Sequence, residues 1–207
     1  MTRPLIALDA DGVLLDFHAA YASAWQRAFG QFPRERDPLA YWPIDRWDVE
    51  RLDAEGRARL RGFFDEHLWS SMPALPGALQ ACEALHAAGH ELVCVSALDE
   101  HFGAARLRNL RALGFPIHRV IATGNAEGTR SPKADAIQAL RPAAFVDDYL
   151  PYLRGLPLDV HTALVLRAPN GSPNAGAEMS LAKSVHQDLA AFAAHWLGGG
   201  GARATSP

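Results

Sequence analysis

Five short apolar runs punctuate the chain. They are Leu5-Ile6-Ala7-Leu8, Glu91-Leu92-Val93-Cys94-Val95-Ser96, Ile117-His118-Arg119-Val120-Ile121-Ala122, Ala143-Ala144-Phe145-Val146-Asp147 and Thr162-Ala163-Leu164-Val165-Leu166. Each is brief and near-continuous rather than alternating, the pattern of parallel strands covered on both faces. Apolar residues at helical spacing lie between them. Residues 77–88 carry Leu79, Cys82 and Leu85, and residues 99–113 carry Phe102, Leu107, Leu110 and Leu113. Gly89 and Gly114 follow these stretches as C-caps would. Residues 133–140 and 178–197 are two further predicted helices. The alternation predicts an α/β fold, a Rossmann-like doubly wound parallel sheet.

Residues 16–75 break the alternation. They are helix-like and hold eleven of the chain's 18 aromatics. That density suits the core of a small separate unit, so they are read as a helical cap inserted after the first strand. The catalytic core is then 1–15 and 76–197. Residues 198–207, which open on four glycines, read as a flexible tail.

A chain of 207 residues can bury one good core with a smaller appendage. A net charge of -3 gives no electrostatic footprint for a nucleic-acid polymer or an anionic membrane. No apolar run approaches the roughly 18 residues a bilayer span needs. Cys82 and Cys94 sit in apolar surroundings without metal-ligand spacing, so a reducing cytoplasm is the expected setting. With a strand so near the start, no signal peptide is expected.

The chemistry begins where the first run ends, at Asp9-Ala10-Asp11-Gly12. Two carboxylates beside a strand end and a glycine are costly to bury without a purpose. Ser96 ends the second run, Lys133 opens a helix after Ser131-Pro132, and Asp147-Asp148 ends the fourth run. All fall at the carboxyl ends of predicted strands, where open α/β sheets place their ligands. Lys133 stands out because 18 of the 20 cations are arginine. A compact ammonium suits a phosphate oxygen. Asp9, Asp147 and Asp148 are hard oxygen ligands suited to Mg²⁺. Asp9 is then placed to attack phosphorus, and Asp11 to move a proton. Ser96, Ala97, Lys133 and the backbone N–H groups around Gly12 are expected to hold phosphoryl oxygens.

This ordered set resembles the four motifs of the haloacid dehalogenase-like superfamily of phosphohydrolases. The match runs through Asp9-Ala10-Asp11-Gly12-Val13, Val95-Ser96, Lys133 and Val146-Asp147-Asp148. The resemblance implies a capped Rossmann-like core, Mg²⁺ dependence and a nucleophilic Asp9. It also implies a metal held by the Asp9 side chain, the Asp11 carbonyl and one or both of Asp147 and Asp148, with Asp148 preferred. The superfamily's dehalogenases lack the second carboxylate, so Asp11 argues for phosphoryl chemistry. The opening through Asp16-Phe17 and the stretch Leu75-Pro76-Gly77-Ala78 are similar to the 5'(3')-deoxyribonucleotidase branch. Ser96-Ala97 departs from it, since that branch carries Ser-Pro there. The resulting expectation is a hydrolase of small phosphorylated metabolites, nucleoside monophosphates first, with a phosphotransferase or phosphomutase, a sugar-phosphate phosphatase, or a non-catalytic binding module of the same fold as the alternatives. Phe17 and Trp42 are the cap aromatics expected at the substrate.

Overall fold

The structure is a computed structural model that describes residues 3–125 and 128–200. Its strands are β1 (Leu5–Leu8), β2 (Glu91–Ser96), β3 (Val120–Ala122), β4 (Ala144–Asp147), β5 (His161–Val165) and β6 (Ser184–His186). They form one sheet in the order β3-β2-β1-β4-β5-β6, and every neighbouring pair is parallel. The apolar runs lack polar alternation because both faces are covered. Ile6 and Leu8 of β1 enter one buried cluster with Leu92, Cys94, Val146 and Val165. Ala7, between them, joins a second cluster with Val93, Val95, Phe145 and Leu164 on the opposite face.

The helices are α1 (Phe17–Phe29), α2 (Pro43–Arg46), α3 (Ala54–Arg61), α4 (Glu66–Ser70), α5 (Ala78–Ala87), α6 (Gly103–Ala112), α7 (Ala134–Leu140) and α8 (Leu189–His195). The first four make up the inserted segment. Asp16 starts α1, its carboxylate accepting from the Ala19 N–H at 3.0 Å. The segment leaves and re-enters at one place. Asp16 N–H donates to Pro73 O, and Leu75 N–H donates to Leu14 O, each at 2.9 Å. Trp25, Leu60, Leu68 and Met72 from this segment join the same buried cluster as Ile6 and Leu8. No helix among the described residues is long and apolar enough to cross a membrane.

Three expectations are corrected. The third strand is only Val120–Ala122; Ile117 is fully buried, but it lies ahead of the strand. The predicted helix over 178–197 is three elements: a 3-10 turn at Ala177–Leu181, strand β6 and helix α8. Pairing decides this. Ser184, Val185 and His186 sit opposite Ala163, Leu164 and Val165, so the open edge of β5 captures a segment whose spacing looked helical. Asp188 then starts α8 by accepting from Ala191 N–H at 2.7 Å. Lys183 is exposed and precedes β6, and its ammonium donates to Leu158 O. The third correction is at residues 99–113, which split into a 3-10 turn at Glu100–Phe102 and α6. Of the expected tail, Gly198–Gly200 belong to a wide helical turn over Trp196–Gly200, with Gly199 at φ 100. The remainder of that tail lies outside the described residues.

Candidate active site

Strand register delivers the first two acids. Leu8 of β1 pairs with Val146 of β4, and the Asp9 N–H donates to Val146 O at 2.9 Å. Asp9 and Asp147 therefore emerge side by side at the carboxyl edge of the sheet. Lys133, at the N-terminal boundary of α7, reaches both. Its Nζ lies 2.6 Å from Asp9 Oδ1 and 2.7 Å from Asp147 Oδ2, with none of the side chain exposed. Burial alone would lower the lysine's pKa. Asp147 and Asp9 overturn that and hold it above the ordinary value, so the ammonium stays charged. The second oxygen of Asp147, Oδ1, accepts the Tyr149 N–H at 2.9 Å.

Each of the other two acids has an arginine. Arg106 of α6 is fully buried, and its Nη2 lies 2.7 and 2.9 Å from the two oxygens of Asp11. Its Nη1 reaches Met72 Sδ at 3.1 Å, and the guanidinium lies 5.1 Å from the centre of the Trp69 ring. Burial pushes Asp11 upward in pKa, with Arg106 opposing. Arg167, just past β5, places Nη2 at 2.8 Å and Nε at 3.0 Å from Asp148 Oδ2. Burial outweighs that partner and pushes the Asp148 carboxyl up to about 6.

Gly12 is required by this packing. Its φ is +86, and a Cβ there would lie 2.2 Å from Asp148 Oδ2 and 2.6 Å from Arg167 Nε. Its N–H donates to Leu15 O at 2.9 Å. The Lys133 ammonium is engaged by two carboxylates, and Lys133 is not among the residues that line the pocket.

A cavity of about 1010 Å³ opens over these residues. Asp9, Asp11, Ser96, Ala97 and Asp148 line its floor, while Asp147 does not. Phe17 and Trp42 both line it. Trp42 is 42% exposed and meets Tyr41 and Tyr149 edge-on, with ring centres 4.9 and 6.3 Å apart. Tyr41 donates its hydroxyl hydrogen to Asp148 O at 3.2 Å, and Asn174 Nδ2 donates to the same oxygen at 2.6 Å. The sheet thus gathers Asp9, Asp11, Ser96, Lys133, Asp147 and Asp148 at one edge. Asp9, Asp147 and Asp148 each offer an oxygen within 4.8 Å of the others. Three hard donors at that spacing fit a divalent cation such as Mg²⁺.

Sequence reasoning missed Arg106 and Arg167. The signal for Arg106 is present: with Phe102 and Leu110 it lies on one i, i+4, i+8 stripe, so an arginine occupies an otherwise apolar helix face. Arg167 carries no comparable mark beyond its place after a strand.

No family model matches the chain, and no curated protein matches it. Solved structures do. A HAD family hydrolase from Deinococcus radiodurans R1, solved with bound phosphate and sodium, aligns with a TM-score of 0.61 at 17% identity, covering 99% of each chain. A putative beta-phosphoglucomutase from Thermotoga maritima aligns at 0.56 and 16% identity, covering 90% of this chain and 95% of its own. The L-2-haloacid dehalogenase of Xanthobacter autotrophicus aligns at 0.56 and 14% identity, covering 96% and 99%. The fold is therefore the haloacid dehalogenase-like one. These similarities do not single out its nucleotidase-like branch.

Proposed function

We propose that this chain hydrolyses small phosphomonoesters through an aspartyl-phosphate on Asp9, with nucleoside monophosphates as the leading substrate class. One observation carries the reading. Asp9 stands on the pocket floor with Oδ1 fixed by Lys133, while Oδ2 has no hydrogen-bond partner among the described residues. A carboxylate with one oxygen held and the other free is oriented to attack.

In the first step Asp9 Oδ2 bonds to phosphorus and the ester P–O bond breaks. The departing oxygen takes a proton from Asp11, whose burial favours the protonated form once the Arg106 pair opens. In the second step Asp11 takes a proton from water, the resulting hydroxide oxygen bonds to phosphorus, and the Asp9 O–P bond breaks. Inorganic phosphate leaves, and both carboxyls return to their starting states. Ser96 and Ala97, at the end of β2, line the space where phosphoryl oxygens would sit.

Asp9, Asp148 and the Asp11 carbonyl are the groups that would hold Mg²⁺, and Asp148 is favoured over Asp147 because only Asp148 reaches the pocket. The ion would supply positive charge against an incoming phosphate. Residues 16–75 act as the cap, closing the cavity from above and excluding bulk water. The edge-on aromatic wall of Tyr41, Trp42 and Tyr149 supports a flat ring in the substrate.

The test is a phosphate-release screen over nucleoside monophosphates, sugar phosphates and phosphorylated amino acids, run on the wild type and Asp9→Asn. The wild type should release phosphate, with ¹⁸O from labelled water appearing in it. D9N should lose turnover by at least about 10³-fold while keeping the fold. Undiminished release by D9N overturns the mechanism. Turnover confined to another phosphoester class overturns the nucleotide preference alone.

A further inference from the structure

Asp11 and Asp148 are both paired with arginine, but the geometries differ. Arg106 engages both oxygens of Asp11. Arg167 directs two donors, Nε at 3.0 Å and Nη2 at 2.8 Å, onto the single oxygen Oδ2 of Asp148. The other oxygen, Oδ1, has no hydrogen-bond partner among the described residues. An arginine fork usually spreads over both carboxylate oxygens. Here it converges on one and leaves the other spare, in a carboxylate that belongs to the three-acid group.

The guanidinium is itself fixed. It lies 5.5 Å from the centre of the Tyr41 ring and against Gly12, where any Cβ would collide with its Nε. The main chain of Asp148 is fixed separately, by Tyr41 and Asn174 at its carbonyl. Main chain and side chain are thus held by different partners. Lys133 performs a similar service for Asp9, taking Oδ1 only. Two spare oxygens, one on Asp9 and one on Asp148, result from two cations that each take a single oxygen of their partner.

We propose that Arg167 is the positioning residue for Asp148, holding its carboxylate in the orientation that binds the divalent cation and so setting the affinity of that site. This rests on the metal set given under the proposed function. Hydrogen-bond partners behind a ligating carboxylate typically contribute 10–100-fold in affinity. Charge alone predicts the opposite sign: removing a cation beside the site should tighten binding. The direction of the change therefore separates positioning from repulsion.

The experiment is calorimetric titration of MgCl₂ into the full chain, with no substrate. Arg167→Met should weaken Mg²⁺ binding by about 10–100-fold. Arg167→Lys, which keeps one donor and the charge, should fall between it and the wild type. Tyr41→Phe removes a bond to the Asp148 carbonyl but leaves the carboxylate pair, and should bind as the wild type does. Asp148→Asn should bind little or none. R167M binding as tightly as the wild type, or tighter, overturns the proposal. So does Y41F weakening binding as much as R167M, because the loop rather than the carboxylate would then be at issue. If R167M fails to fold, an R167K affinity equal to or above the wild type's overturns it. Should the wild type and D148N bind Mg²⁺ alike, the metal set itself fails and takes this proposal with it. An unchanged R167M beside an inert D148N defeats the Arg167 assignment alone.

Discussion

Along the carboxyl edge of the sheet, backbone register puts the chemistry in place. Asp9 and Asp147 are neighbours because β1 and β4 are neighbours, and Lys133 closes the group with both distances under 3 Å and no exposure. The inserted segment 16–75 reaches the same pocket by another route. Its residues meet the site through side chains: Trp69 and Met72 against Arg106, Tyr41 against Arg167, Trp42 at the rim. One region is held by hydrogen-bonded strands and buried charge, the other by apolar burial and by aromatic faces on arginines. Buried, fully paired charges resist rearrangement because removing one partner strands the others. The ring contacts of Trp42, which is 42% exposed, are individually weaker and can part and re-form. The contrast suits the proposed function, in which a rigid reacting centre lies beneath a cap that admits substrate.

The most severe way to break that contrast is Lys133→Met. It leaves Asp9 and Asp147 buried without their cation and should cost about 3–5 kcal/mol in denaturant unfolding. A loss below 1 kcal/mol would mean that the edge is no more rigidly held than the rim. Gly12→Ala should come next. A Cβ 2.2 Å from Asp148 Oδ2, at φ +86, forces the Asp148–Arg167 pair apart, with a stability loss of about 1–3 kcal/mol. Unfolding curves of the two variants, compared with the wild type, check both.

A third prediction concerns a histidine of the inserted segment. His18 is buried between two partners: its Nε2 lies 2.9 Å from Tyr41 O, and its Nδ1 lies 3.2 Å from Arg46 Nη1. A carbonyl on one side and a guanidinium on the other require the neutral ring, with the proton on Nε2. Burial, then Arg167 and Arg46, lower its pKa to about 4. The unfolded chain takes up that proton near pH 6.5, before the folded chain does, so stability falls as pH drops below about 6.5. Between pH 7 and pH 5, His18→Gln should lose about 1–2 kcal/mol less than the wild type does. Parallel stability curves for the two proteins would refute the neutral buried ring. The smallest effect is expected from Trp42→Ala. It should raise KM a few-fold on the preferred substrate, with kcat and melting temperature near the wild type, because the ring is 42% exposed and lines the cavity. A fall in kcat alone would place Trp42 in closure rather than in binding.

The legibility of the molecule follows the same division. The runs that became β1, β2, β4 and β5 could be read because both of their faces are buried, and a short apolar run between helices has few other uses. The strand β6 could not. Three residues at an edge, with Val185 exposed, carry no local signature, and only the neighbouring β5 makes them a strand. Asp9, Asp11, Lys133 and Asp147-Asp148 could be read because charged groups at strand ends are rare without purpose. Gly12 was marked out by its place in the first motif, but its hydrogen bond to Leu15 and its closeness to Asp148 come from the folded turn.

What the amino-acid order determined by itself is the sheet's interior, its strand-helix alternation and the acids and lysine at its carboxyl edge. Each follows from local periodicity and from the cost of burying charge. What only the tertiary structure decided is the pairing of those acids: Lys133 to Asp9 and Asp147, Arg106 to Asp11, Arg167 to Asp148. Partners 95 residues apart, as Asp11 and Arg106 are, leave no common pattern in the chain. A guanidinium chooses its carboxylate by distance after folding, and that distance depends on how helices and loops pack over the sheet.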